Sequence, residues 1–178
     1  MADFNHVYGA GLQHASVRDD DGVVYDIDAI INAEGDPTQE DTEIKGDDTI
    51  KATFSSGRKE ELTITANAIS MDVLQAITGN TVSSSAGGST IAVGTVAEMS
   101  APFVEITMDV TARSDAGTAV IVRKVWHKVQ LNKAKVTAGN GSELAVELTG
   151  IAIQTSTNIV GGALTTARVA TLAVVKVV

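Results

Sequence analysis

Residues 43–79 read EIKGDDTIKATFSSGRKEELTITANAISMDVLQAITG. Ile50, Ala52 and Phe54 alternate with Thr49, Lys51 and Thr53, and after Ser56-Gly57 the alternation returns with Leu62, Ile64, Ala66 and Ala68 against Glu61, Thr63, Thr65 and Asn67. A period of two places one set of side chains on each side of a strand. The segment therefore predicts a hairpin turning at Ser56-Gly57 with one apolar face. At Ser70 the period changes. Ser70 is a good N-cap, Asp72 complements the helix dipole, and Gly79 stands where a left-handed C-cap belongs. The predicted helix runs from Ser70 to Gly79 with Val73, Leu74 and Ile77 on one side. It is too short to be stable alone, so packing must hold it.

The rest of the chain reads as strand and turn. It has 24 Ala, 22 Val, 14 Ile and 20 Thr against three Phe, two Tyr and one Trp among 178 residues. Side chains branched at Cβ favour pleated, half-buried surfaces. Leu12–Arg18 and Val23–Ala33 flank Asp19-Asp20-Asp21-Gly22, a hairpin signal; in the second run Val23, Tyr25, Ile27, Ala29, Ile31 and Ala33 share one parity. Glu34–Asp41 (EGDPTQED) is polar and interrupted by Pro37, which predicts a loop, extended as a polar segment over 34–48. A flexible connector is predicted over 80–90. Val104–Val110 alternates, a turn follows at Ser114–Gly117, and an extended run continues to Thr137. Its apolar parity slips between Val122 and Val125, placing a bulge near Arg123–Lys124. A second slip between Leu148 and Ile151 places one at Gly150. The closing stretch Ala167–Val178 is apolar on both faces apart from Lys176, so it needs cover from its own sheet or from another subunit. The expectation is a single mainly β domain over 1–178, a β-sandwich or barrel with one short α-helix.

Charge is unevenly spread. Residues 1–62 carry 15 acidic and five basic side chains; residues 63–178 carry seven and eight. Six basic side chains (Arg113, Arg123, Lys124, Lys128, Lys133, Lys135) fall within 113–135. Such blocks are either solvated strand faces or complementary surfaces that meet between copies. A net charge of −9 argues against general affinity for nucleic acid, which rests on cations neutralising phosphates. The absence of cysteine excludes disulfides and thiolate chemistry. Neither a signal peptide nor a run of about 18 apolar residues is visible, so no membrane partner is expected.

Candidate chemistry is sparse. His6, His14 and His127 lack partners at metal-ligand spacing. Asp19-Asp20-Asp21-Gly22 does not follow calcium-loop spacing. Asp26 and Asp28 share a strand face and form a possible carboxylate pair. No nucleophile elbow, phosphate loop or dinucleotide fingerprint occurs. Trp126 is the single tryptophan and suits core or interface packing. The expectation is no catalytic residue, no metal and no cofactor.

The order of elements carries a resemblance. An acidic segment leading to Ile44-Lys45-Gly46-Asp47-Asp48, an Ala52-Thr53-Phe54 strand, an Arg-Lys turn region, a Leu-Thr-x-x-Ala strand and a Leu/Ile helix ending Thr78-Gly79 resemble the first half of the major tail (tail tube) proteins of long-tailed, siphovirus-like bacteriophages. Trp126–Val136, Asn140-Gly141 and Leu144–Ile153 resemble the second half. The resemblance implies a structural protein, located in the virion tail and assembled in the host cytoplasm, whose hexameric rings stack into a hollow tube that conducts double-stranded DNA without specific binding. It also implies tail terminator, tail-tip or baseplate, and tape-measure proteins as partners. Under it the polar faces of Thr42–Phe54 and Glu61–Ala68 line the lumen, with Glu43, Lys51, Glu61, Thr63 and Thr65 as candidates. Asp36, Glu40, Asp41, Asp47 and Asp48 would meet Lys133 and Lys135 between subunits. The alternatives are the tube of a contractile tail or a type VI-like secretion system, a monomeric β-sandwich binding or adhesion module, and a β-barrel enzyme or small-molecule binder using Asp26, Asp28 or His127.

Overall fold

Among the described residues the chain forms twelve strands and one helix: β1 (Val7–Arg18), β2 (Val24–Ile27), β3 (Ile30–Gly46), β4 (Thr49–Ala66), α1 (Met71–Thr78), β5 (Val82–Ser85), β6 (Gly88–Ile91), β7 (Phe103–Ser114), β8 (Ala119–Thr137), β9 (Ala145–Ile153), β10 (Thr155–Thr157), β11 (Ala163–Arg168) and β12 (Ala170–Lys176). The structure, a computed structural model, describes residues 7–27, 29–46, 49–92, 101–114, 117–137 and 145–176. Eight strands form one sheet in the order β2-β1-β7-β8-β9-β4-β3, with β12 also paired to β8. Its strand pairs are antiparallel.

β1 and β4 are separated by three strands in that order, yet Ala15, Val17, Leu62 and Ile64 belong to one buried cluster. The sheet must therefore curl on itself, which gives the mainly β, sandwich- or barrel-like architecture expected from the sequence. Trp126, Val104, Ile106, Val129, Val146 and Leu148 complete the cluster. α1 is capped as predicted. Ser70 Oγ accepts from Val73 N at 3.2 Å, and Gly79 at φ 70° donates its N–H to Gln75 O. Val73 and Ile77 enter the core, whereas Leu74 is only partly buried. The Asp19–Gly22 turn is also as expected: Asp19 Oδ1 accepts from Val23 N at 2.8 Å, and Gly22 has φ 86°.

Several local readings are corrected. The run Val23–Ala33 is two strands: Ala29 takes φ 49°, the chain turns a corner, and Ile31 becomes exposed. Ser56-Gly57 is no turn, because β4 runs unbroken from Thr49 to Ala66. Gln39 pairs with Arg58 and Glu40 with Ser56, so Gly57 is the extra residue of a bulge. The segment 34–41, predicted as a loop, belongs to β3, an outermost strand paired only with β4. An edge strand tolerates Pro37, whose missing N–H costs no ladder bond on the open side, and charged residues there discourage unwanted pairing. The 80–90 connector is mostly a small hairpin of β5 and β6.

β8 is the spine of the sheet. Its first half pairs with β7 on one side and β12 on the other; its second half pairs with β9. The parity slip falls at the changeover. Val104 pairs with Val129 and Ile106 with Trp126, so His127 and Lys128 together oppose Glu105, and the bulge lies there rather than at Arg123–Lys124. Gly150 is not a bulge either: Val146, Leu148, Gly150 and Ala152 are buried in unbroken alternation. The extra residue is Asn132 on β8. Gly150 is small for another reason, since a Cβ there would lie 2.3 Å from Gln130 O.

Candidate functional site

The buried alternation of β4 (Glu60, Leu62, Ile64, Ala66) sends Lys59, Glu61, Thr63 and Thr65 to the opposite face. Register extends that face across four strands. One row runs Lys135, Glu147, Thr65, Asn32; the next runs Lys133, Thr149, Thr63, Glu34; a third brings Ile151, Glu61 and Asp36 side by side. The result is an open, polar surface with a shallow depression around Glu61, Thr63, Asn132 and Thr149. Three of the sequence-predicted lumen residues, Glu61, Thr63 and Thr65, share it. So do Lys133, Lys135 and Asp36, which the sequence assigns to contacts between subunits. Asp36 lies directly opposite Glu61. Among the described residues, none of Asp36, Glu61, Glu147, Lys133 and Lys135 forms an ion pair.

Glu43 and Glu40, Asp41 are placed on β3 by their backbone, and Lys51 on β4. Lys51 is itself an extra residue, because Ile44 pairs with Ala52 and Lys45 with Ile50. The side chains of 40–57 lie outside the described residues, as do Asp47, Asp48 and Asp28. β4 pairs with β9 only through Lys59, whereas its pairing with β3 continues to Thr49. The β3–β4 hairpin thus projects past the sheet as a two-stranded arm.

The other side of the molecule spends its charges internally. Arg123 grips Asp109 through two bonds of 2.7 Å, which hold its guanidinium pKa above the ordinary value. Lys124 pairs with Glu60 across the interior and sits 4.5 Å above the Trp126 ring. Lys128 covers Phe103. Half of the basic cluster at 113–135 is therefore engaged within the chain. His14 Nε2 lies 2.9 Å from Asp26 Oδ1 at the surface.

His127, isolated in the sequence, is the centre of a network. Its Nδ1 lies 3.0 Å from Glu105 Oε2 and its Nε2 2.7 Å from Thr171 Oγ1, while Arg18 Nη1 donates to Glu105 Oε1 at 3.3 Å. An ionised carboxylate only accepts, so beside an ionised Glu105 it is the Nδ1–H form of the ring that makes this bond. His127 and Glu105 are buried. The network ties β1, β7, β8 and β12 together. Sequence spacing could not reveal it, since its members lie 22 and 44 residues apart from His127.

β12 pairs with β8 and leaves Leu172 69%, Val174 43% and Val175 39% exposed. Among the described residues no group of three or more His, Cys, Asp or Glu side chains is placed to hold a metal ion, and no helix is long and apolar enough to cross a membrane. Neither a protein-family model nor a curated protein matches the chain.

Proposed function

We propose that this protein is a structural subunit that self-assembles into stacked rings, forming a hollow tail tube through which double-stranded DNA passes. The observation that carries the reading is the bare apolar strand β12, exposed at Leu172, Val174 and Val175. Fully burying one such side chain contributes roughly 1.5–3 kcal/mol, and a ring repeats the contact at every subunit. The projecting β3–β4 arm and the Thr-rich open sheet face support the same reading. Thr63, Thr65 and Thr149 offer hydration without binding phosphate, and Glu61 and Asp36 repel it within about a Debye length, ~8 Å at physiological salt. Lys133 and Lys135 would temper that repulsion. On this reading the role is passive, through geometry and electrostatics, and no side chain acts as catalyst.

Negative-stain electron microscopy of the purified chain over a range of concentration and salt tests the proposal. Rings or hollow tubes are expected. A strictly monomeric chain under all conditions would reject it and favour a monomeric β-sandwich module.

A further inference from the structure

A groove of about 490 Å³ opens between β3 and β4 on one side and the β11–β12 corner on the other. Arg58, Lys59 and Arg168 line it. Its one carboxylate among the described residues, Glu60, lies against Gly35, where a Cβ would collide with it, and is neutralised by Lys124. The groove is therefore a cationic site in a chain of net charge −9. An anion that settles there is drawn by these local groups and not by the molecule as a whole.

The two arginines are poised for such a ligand. Arg168 is held in place: Nε–H donates to Thr166 O at 2.9 Å and Nη1–H to Thr171 Oγ1 at 3.4 Å, and Thr171 is fixed in turn by His127. A guanidinium carries five N–H donors in a rigid plane, so Arg168 keeps donors to spare. Arg58 is exposed, and neither arginine has a carboxylate partner among the described residues. A guanidinium fork donates two parallel N–H bonds to a phosphate or carboxylate, and a fork fixed in advance loses less freedom on binding.

Volume and charge narrow the class. The groove falls within the ~300–1,000 Å³ of sites for small organic ligands, and leaves room beyond a bare oxyanion. Pro37 and Val169 add apolar surface. Gln154 donates Nε2–H to Ala167 O at 3.3 Å, which leaves its Oε1 to accept from a ligand hydroxyl. Two guanidinium charges balance a terminal phosphate, which carries about −1.5 to −2 at pH 7, better than a singly charged phosphodiester or carboxylate.

We infer that this groove binds a small organic phosphate, its terminal phosphate gripped by the guanidinium forks of Arg58 and Arg168 and its carbon body laid along Val169 and Gln154. A single copy carries every residue of the site, so the inference stands apart from assembly.

The test is calorimetric titration of the full chain with pyrophosphate at low salt, with thermal unfolding to confirm that each variant folds. Saturable binding at one site is expected. Arg58→Gln/Arg168→Gln should weaken it at least about tenfold, and Arg58→Lys/Arg168→Lys, which keeps both charges but loses the planar forks, at least about threefold. Because Arg168→Gln also cuts the tie to Thr171, Arg58→Gln alone reads the site should the double variant unfold. No binding by the unaltered chain, or equal binding by the arginine variants, would overturn the inference. So would binding that appears only in Glu40→Gln/Asp41→Asn, since the chain's own neighbouring acids would then fill the groove. Duplex DNA without terminal phosphates should not displace pyrophosphate; displacement would overturn the terminal phosphate in favour of the polymer's diesters.

Discussion

The two halves of the sheet treat charge in opposite ways. Around β1, β7, the first half of β8 and the inner face of β4, carboxylates are buried and matched: Asp109 with Arg123, Glu105 with His127 and Arg18, Glu60 with Lys124. Across the second half of β8, β9, β4 and β3, Asp36, Glu61, Glu147, Lys133 and Lys135 stand on an open face and form no ion pair among the described residues, and Asp36 even faces Glu61. Burial explains the contrast. A charge taken out of water without a partner costs several kcal/mol, so the closed side must neutralise itself. An exposed charge costs little, so the open side is free to carry charges useful only in relation to something else.

The largest effect that would break this contrast lies in the closed half. Lys124→Met should lose about 3 kcal/mol of unfolding free energy in urea titration, because Glu60 would keep a buried charge without its partner. A loss below 1 kcal/mol would show that water reaches Glu60. Ile77→Ala, on the helix that closes the core, is expected to cost about 2–3 kcal/mol by the same measurement; a smaller loss would make the helix peripheral. Leu74→Ala should cost less than Ile77→Ala, since Leu74 is only partly buried.

The open half should behave differently. Lys133→Glu combined with Lys135→Glu should alter unfolding by no more than about 0.5 kcal/mol, yet slow assembly at low salt as followed by light scattering. Normal assembly would remove both lysines from any contact between copies. The smallest effect sharpens the comparison most. Asp36→Asn should stabilise the isolated chain by about 0.3 kcal/mol, by relieving repulsion across the strand pair. Destabilisation would reveal a partner for Asp36 that the fold conceals.

What could be read from sequence follows the same division. Asp19–Gly22, the capped helix and the Leu62–Ala66 alternation were legible because each is decided by neighbours along the chain. Asp36 and Pro37 pointed to a loop because they disfavour interior strands; only the pairing order shows that β3 is an edge, where those residues are tolerated. The slips in apolar phase misplaced both irregularities: Arg123–Lys124 pair regularly and β9 alternates without a break through Gly150, because a side chain's hydrophobicity does not say which residue is left without a cross-strand partner. The cross-strand partners chose His127–Lys128 and Asn132. The polar face of Glu61, Thr63 and Thr65 was visible as a parity, whereas its continuation through Thr149, Glu147 and Lys133 depends on register. The groove between Arg58 and Arg168 had no local signal, because 110 residues separate its two arginines.

The central position of β7 has a consequence for the timing of folding. The β3–β4 hairpin is local and has both strands once residue 66 is available, but Val17 of β1 must wait for Ile106 of β7. At ordinary synthesis rates of about 5–20 residues per second, that separation is a delay of roughly 4–18 seconds. Pairings of such high sequence separation are also slow to form once the chain is complete. The arm therefore precedes the body: the β3–β4 hairpin can exist before the sheet that carries it has closed, and the nascent chain must keep β1 from finding a foreign strand in the interval.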